Sequence, residues 1–194
     1  EFHTIYHTLH NFCVVDLSAF YLDIIKDRLY ISAPDDSGRR DAQTVMATML
    51  NGLVKIMAPI LPFTSDEIYQ FMPTPEPKKD SIHLEAMISV DKTLENPDLA
   101  EKWEQILVLR NEVTKALEEA RTAKLIGHPL DAALEIKLPD STLKTDLENL
   151  SEPLNDIFIV SSAALTDNEL SGAYQGKEIQ GLEIGVTKAK GEKC

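Results

Sequence analysis

Residues 98–125, DLAEKWEQILVLRNEVTKALEEARTAKL, decide the fold of this chain. Apolar residues recur in this segment at three- and four-residue intervals, which predicts a long amphipathic helix. Gly127 and Pro129 come directly after it and are typical of a helix end. The side chains that the pattern turns inward are Trp103, Ile106, Leu107, Leu109, Val113, Ala116, Leu117 and Ala120.

The sequence before this segment predicts further helices. Residues 2–31 and residues 41–58 each carry an apolar stripe at helical spacing, and a Pro- and Asp-rich loop at 34–38 separates them. The segment 59–62, PILP, stops the second of these helices. We therefore expect two long helices in this part of the chain.

A third helix is predicted to begin with a capping box. Thr64 can cap the helix and Glu67 stands at its third position, while Phe63 and Ile68 have the spacing of a hydrophobic staple. This helix is expected to end near Met72, before a proline. The prolines that follow, without a sustained period, predict an ordered connection over residues 73–97.

The period changes after residue 127. Alternating apolar residues predict strands at 132–138 and 181–188, and a β-branched, apolar run predicts a buried strand at 157–164. Between the strands at 132–138 and 157–164, Asp140 or Ser141 can cap a short helix that runs to about Leu150. The predicted fold class is mainly α: a helical bundle in residues 1–127 followed by a small α+β subdomain in 128–194.

Composition excludes several classes of protein. The chain has 194 residues, of which 43% are hydrophobic, so it can bury a core. No apolar run is long enough for a membrane span, and no leader opens the sequence. Two cysteines at opposite ends, Cys13 and Cys194, favour a reducing compartment over a disulfide framework. Because the first residue is Glu1, we expect a piece of a longer protein.

The charge is strongly acidic. Nineteen Lys and Arg residues stand against 32 Asp and Glu residues, which gives a net charge of −13. Such a chain has no overall attraction for nucleic acid, so any polyanion must be bound by a local basic surface. On composition alone, the simplest interpretation is a cytoplasmic domain that its charge keeps dispersed.

Enzyme motifs are absent from the sequence. There is no Gly-x-Ser-x-Gly, no Cys/His pair at a supporting spacing, and no Gly-rich phosphate loop after a strand. His3, His7 and His10 share one helix face and could hold zinc, but a polar helix face explains them more simply. We therefore predict no catalytic site on this chain.

One group of cations remains a candidate binding surface. By helical projection Arg110, Arg121 and Lys124 form a basic stripe along the apolar edge of the helix at 98–125. The far side of the helix carries Glu104, Glu112, Glu118 and Glu119. They could contact phosphates or stack on bases, or they could pack around the core and pair with acids. Arg39 and Arg40 form a second basic pair, placed unfavourably for a helix N-terminus.

Several strings resemble the anticodon-binding region of the isoleucyl-tRNA synthetase family. They are LSAFYLDIIKDRLY at 17–30, RRDAQT at 39–44, APILPFTSDEIY at 58–69, IHL at 82–84, and a pattern that runs from Trp103 to Ala132. The sequence departs from the family at Glu85-Ala86-Met87, where an acidic-aromatic-Pro turn is usual. The resemblance covers almost the whole chain.

The resemblance implies the part of a class I synthetase that binds the anticodon loop of tRNA(Ile), without the catalytic and editing domains. The parent would ligate isoleucine to tRNA using ATP, in the cytoplasm, as a monomer whose own catalytic domain is the other partner of this segment. It would also imply that Cys194 is the first ligand of a zinc knuckle that lies beyond this chain, so no metal or other cofactor is expected here. The five basic residues become RNA-binding candidates. The alternative is an acidic helical scaffold that binds another protein.

Overall fold

The computed structural model describes residues 1–73, 77–139, 141–150 and 152–191. The chain divides into two compact units, Glu1–Leu94 and Glu95–Cys194, and each has its own apolar core. The first unit is helical, and the second combines a long helix with a small sheet. The predicted fold class is confirmed.

The N-terminal segment of the first unit is helical with changes of pitch. Helix α1 (Phe2–Asn11) continues into a wider π-helical stretch (Phe12–Tyr21), then into α2 (Leu22–Ile24) and α3 (Lys26–Tyr30). The apolar stripe of this segment is largely exposed to solvent. Phe2 is 67% exposed, and Ile25 is the only buried residue among residues 1–31.

Helix α4 (Ser37–Met57) begins four residues earlier than predicted, because Asp36 caps it. The Asp36 carboxylate accepts from the backbone N–H of Arg39 at 2.9 Å, which satisfies one of the free donors of the first turn. An unfavourable position for Arg39 is therefore offset locally by an acidic cap.

The capping box predicted for the third helix is wrong. Helix α5 (Pro62–Phe71) begins before Thr64, with Leu61 as its cap and Pro62 in the first turn. Proline is favoured there because it has the right φ and needs no hydrogen-bond partner for a missing N–H. Phe63 is 90% exposed, so it does not form the predicted hydrophobic staple.

The core of the first unit joins α4, α5 and the connection that follows. Its buried members are Val54, Ala58, Tyr69, Met72 and Ile82. The connection contains two short 3₁₀ turns, Ile82–Leu84 and Lys92–Leu94, and Asp66 of α5 fastens the first of them by accepting from Ser81 Oγ and Ile82 N. Residues 74–76 of the predicted connection lie outside the described residues.

The second unit is built on α6 (Pro97–Thr122), the helix predicted from residues 98–125. The Asn96 side chain caps its start by accepting from Leu99 N. At its end, Leu125 N donates to Ala120 O and Lys124 N donates to Arg121 O, while Lys124 is left-handed at φ 60°. These two hydrogen bonds, together with the left-handed residue, form a Schellman motif at the C-terminus of the helix.

A four-stranded sheet packs in the same unit. Its strands are β1 (Ala132–Lys137), β2 (Ser162–Leu165), β3 (Tyr174–Gln175) and β4 (Glu183–Lys188), in the spatial order β2-β1-β4-β3. β1 is parallel to β2 and antiparallel to β4, with Leu134 opposite Val186 and Ile136 opposite Ile184. The predicted alternation of β1 is confirmed, because Ala132, Leu134 and Ile136 are all buried.

Two short helices link β1 to β2. Helix α7 (Thr142–Glu148) is capped by Ser141, and helix α8 (Leu154–Phe158) ends at Ile159, which is left-handed. The predicted strand at 157–164 is therefore wrong in its first half, where Ile157 and Phe158 end α8 and Ile159 is its C-cap. Asp140, the other candidate cap, lies outside the described residues.

The core of the second unit combines α6 with the sheet and the two short helices. It includes Ile106, Leu109 and Val113 of α6, together with Leu182 and Ile184 near and in β4. Because α6 shares this core, the compact units divide the chain at 94/95, a different position from the predicted domain boundary at 127/128. That domain boundary stays a prediction.

Within the described residues, no helix combines the length and the apolarity that crossing a bilayer requires.

Candidate nucleic-acid interface

The two arginines at the start of α4 have different surroundings. Arg39 is half-buried, and its guanidinium donates to the backbone oxygen of Ser32 at 2.8 Å, so it holds the loop before the helix. Arg40 is exposed, and its side chain makes no hydrogen bond or ion pair with the described residues. Of this pair, Arg40 is the cation available to a phosphate.

Arg110 braces the second unit. Its Nε donates to Ile157 O at 3.2 Å, in the last turn of α8, where a positive charge is favoured by the helix dipole. The side chain is half-buried in this position. A bracing role, one of the two interpretations open from the sequence, thus has a specific partner.

Arg121 and Lys124 are exposed at the end of α6. Arg121 donates to Glu118 at 2.7 Å, but both side chains are more than half exposed, so this pair contributes little and can open for a ligand. Lys124 lies beyond the last helical residue in a left-handed turn. The helical projection that placed it in a stripe with Arg110 therefore does not extend to Lys124.

The histidines predicted as a possible metal site do not form a cluster of ligands. The rings of His7 and His10 contact the Tyr6 ring, at centroid distances of 5.2 and 5.8 Å, and His3 lies 3.7 Å from Glu1. No group of three His, Cys, Asp or Glu residues in the described part of the chain could hold a metal ion. The three histidines do not fit a zinc site. Cys194, the predicted first ligand of a zinc knuckle, lies outside the described residues.

A recess of about 690 Å³ lies within the first unit, and we call it the α4–α5 recess. One stripe of α4 forms a wall, and the end of α5 and the connection after it complete the lining. This volume is in the range of small-molecule sites. Its lining residues are Thr44, Ala47, Thr48, Asn51, Lys55, Tyr69, Met72, Pro73, Pro77, Lys79 and Glu85.

A charged network lies in this recess. The Tyr69 hydroxyl donates to Glu85 Oε1 at 3.0 Å, and Lys55 Nζ lies 3.5 Å from Glu85 Oε2. The hydrogen bond from Tyr69, with the nearby lysines, holds the pKa of Glu85 below its ordinary value. Burial raises the pKa of Tyr69. Glu85 is therefore ionised at neutral pH and accepts hydrogen bonds.

Asn51 contributes a carboxamide to the lining of the recess. It is half-buried, and its amide makes no hydrogen bond with any of the residues that the structure describes. The hydroxyls of Thr44 and Thr48 donate to backbone oxygens one turn earlier, which leaves their lone pairs as acceptors. The recess thus offers an amide with both donor and acceptor capacity beside two lysines.

The recess was not predicted from the sequence, although α4 carries a signal for it. Thr44, Thr48, Asn51 and Lys55 recur at intervals of four, three and four residues, which places polar groups on one helix face. The prediction of this helix depended on its apolar stripe, not on these polar positions.

Comparisons with known proteins agree in naming one family. The family described as the anticodon-binding domain of tRNA ligase matches residues 1–137. The chain is 42% identical over 194 residues to an isoleucine–tRNA ligase of Syntrophotalea carbinolica, and 44% identical over 196 and 195 residues to those of Persephonella marina and Geobacter sulfurreducens. Each match covers 100% of this chain and 21% of the relative, so the chain spans about a fifth of the length of these relatives.

Proposed function

Because the chain belongs to the anticodon-binding domain family of tRNA ligases, we propose that it binds the anticodon loop of tRNA(Ile) as a segment of a bacterial-type isoleucine–tRNA ligase. The observation that carries the proposal is the similarity to isoleucine enzymes along all 194 residues. Residues 138–194, beyond the family match, are included in that similarity.

The segment acts by positioning in this proposal. The whole protein ligates isoleucine to its tRNA with ATP, in the cytoplasm and as a monomer, and its reactive groups lie on its catalytic domain. By binding the anticodon loop, this chain restricts the motion of the tRNA so that its 3′ end reaches the catalytic domain. A zinc knuckle that begins at Cys194 remains a prediction for the parent enzyme.

The exposed cations supply the phosphate contacts. Arg40, Arg121 and Lys124 can approach a backbone phosphate, whereas Arg39 and Arg110 hold protein carbonyl groups and act by keeping the surface in place. Since the chain carries a net charge of −13, these contacts are local and the affinity falls steeply with added salt.

The proposal is tested by footprinting tRNA(Ile) with the purified chain at low salt. We expect nuclease protection of the anticodon loop, and we expect Arg40→Glu or Arg121→Glu to weaken binding by about tenfold, since phosphate contacts dominate affinity. Lys92→Glu is the matched control, because Lys92 is exposed and changes the net charge equally.

Two results would overturn the proposal. One is protection that is confined to the acceptor stem. The other is an equal loss of affinity in all three variants, since it would mean that only the net charge of the chain matters.

A further inference from the structure

The α4–α5 recess has the chemistry of a site for an unstacked RNA base. Sequence-specific RNA recognition depends on bases that leave the stack, rest on a side-chain surface and present their edges to hydrogen-bonding groups. The recess offers apolar surface from Met72, Pro73 and Pro77, and polar groups from the stripe of α4.

Asn51 is the group that such a base would satisfy. A carboxamide has a donor and an acceptor side by side, which match the donor and acceptor that adenine and other bases carry on their edges. This amide has no hydrogen-bond partner among the described residues, and it is half-buried where it lines the recess. The Asn51 amide therefore has donor and acceptor groups that the edge of a base in the recess can use.

The charges of the recess favour the same class of ligand. Lys55 is only 15% exposed and Glu85 24% exposed, so their positions are fixed by the recess walls and by Tyr69. Glu85 is an acceptor for an exocyclic amino group, and it would repel a phosphate. The recess is lined by two lysines, Lys55 and Lys79, and by one carboxylate, Glu85, so it carries one net positive charge. The chain as a whole carries a net charge of −13.

We propose that the α4–α5 recess receives a single base from the RNA loop, with the Asn51 amide hydrogen-bonded to the edge of that base. This inference rests on the proposed function, because the base comes from the anticodon loop that the chain is proposed to bind. It adds the place on the first unit where a base is read and the residue that reads it.

The experiment is an NMR titration of the full 194-residue chain with an RNA hairpin comprising the anticodon stem and loop of tRNA(Ile). We expect the side-chain amide signals of Asn51 to shift while those of Gln43 stay in place, because Gln43 is exposed on the same helix outside the recess. Asn51→Ala should weaken binding by about tenfold, in line with the value of a bidentate base contact. Gln43→Ala should leave the affinity unchanged.

A second pair of variants tests the recess without removing a polar group. Ala47→Trp places a bulky ring in the recess from an exposed helix position, and Gln43→Trp places the same ring outside it. We expect Ala47→Trp to abolish the Asn51 shift and Gln43→Trp to preserve it. We expect both variants to retain the helical circular dichroism of the parent, since both positions are exposed.

A hairpin with an abasic loop separates base binding from phosphate binding. We expect it to bind at least tenfold more weakly and to leave the Asn51 signals unmoved. If the abasic hairpin binds as well as the intact one, or if the intact hairpin binds while Asn51 does not respond, the base site is refuted and the proposed function stands. If the chain binds neither hairpin nor tRNA(Ile), both proposals are refuted.

Discussion

Glu112 should be the polar side chain on which the stability of the second unit depends most. It is fully buried on α6, and it fastens the segment after β3 to that helix. Its carboxylate accepts from Lys115 Nζ at 2.6 Å, from the backbone N–H of Lys177, and from the Tyr174 hydroxyl at 3.4 Å. Burial alone would raise the pKa of Glu112, but the donors around it outweigh burial and hold its pKa below the ordinary value.

The change Glu112→Gln keeps the size of the side chain and removes its charge. One oxygen becomes an amide nitrogen that faces other donors, so a backbone N–H of the 177–178 segment loses its acceptor. A buried donor without a partner costs about 1–3 kcal/mol, and hydrogen bonds to a neutral acceptor are weaker than those to a carboxylate. Lys115 is partly exposed and keeps its ion pair with Glu178 at 2.7 Å, so the loss of its ion pair with residue 112 adds little to the destabilisation. We expect the free energy of unfolding to fall by about 2 kcal/mol.

Urea denaturation followed by tryptophan fluorescence measures this change in the right unit. Trp103 is the single tryptophan of the sequence, and it packs against the core of the second unit. The control is Glu118→Gln on the same helix, where the exposed pair with Arg121 contributes less than about 1 kcal/mol. Equal stability of the Glu112→Gln variant and the parent chain, with an unchanged denaturant slope, would refute the reasoning.

Other features of the structure lead to three more predictions. The pKa values of Glu112, Asp66 and Glu85 are lowered in the folded state, so the stability that they contribute is present above their unfolded pKa values of about 4 and is lost as the pH falls through the folded values. Urea midpoints should therefore decrease from about pH 5 to pH 3, and a flat profile would contradict this. Lys124→Gly should raise the free energy of unfolding by about 1 kcal/mol, measured by Trp103 fluorescence in urea, because glycine adopts φ 60° without strain; a destabilised variant would show that the Lys124 side chain holds the helix end. Leu134→Ala should lower that free energy by about 3 kcal/mol, since Leu134 is 2% exposed in the sheet core, while Glu135→Ala on the exposed side of the strand should change it by less than about 0.5 kcal/mol. Equal effects of these two substitutions would mean that the register of β1 is wrong.

The fold was predictable wherever a long period persisted in the sequence. The helix at Pro97–Thr122 and the strand at Ala132–Lys137 follow directly from spacings of 3.6 and 2 residues. Short apolar runs were ambiguous, because Ile157 and Phe158 are as suitable for a helical turn as for a strand. In the structure they are helical, and Arg110 donates a hydrogen bond to the backbone oxygen of Ile157. The start of α5 was predicted at the wrong residue. The fixed φ of Pro62 favours a first helical turn that begins there, so Thr64 lies inside the helix and is not its cap.

The candidate site was less predictable because it depends on contacts between elements. Helical projection placed Glu112 only on the side of the helix away from the basic stripe. The structure shows that it is fully buried and that its carboxylate accepts from the backbone N–H of Lys177. Arg39 and Arg110 were grouped with the binding cations, and the structure gives each a backbone carbonyl as its partner. A single sequence shows a charge but not what lies opposite it. The role of all five basic residues in RNA binding stays a prediction.

The most direct test of the account is a comparison of two RNAs that differ only in the anticodon. The purified chain should bind a tRNA(Ile) transcript at least about tenfold more tightly than the same transcript with another anticodon, since base contacts in an unpaired loop carry the discrimination. Equal affinity for the two transcripts at low salt would contradict the claim that this chain reads the anticodon loop.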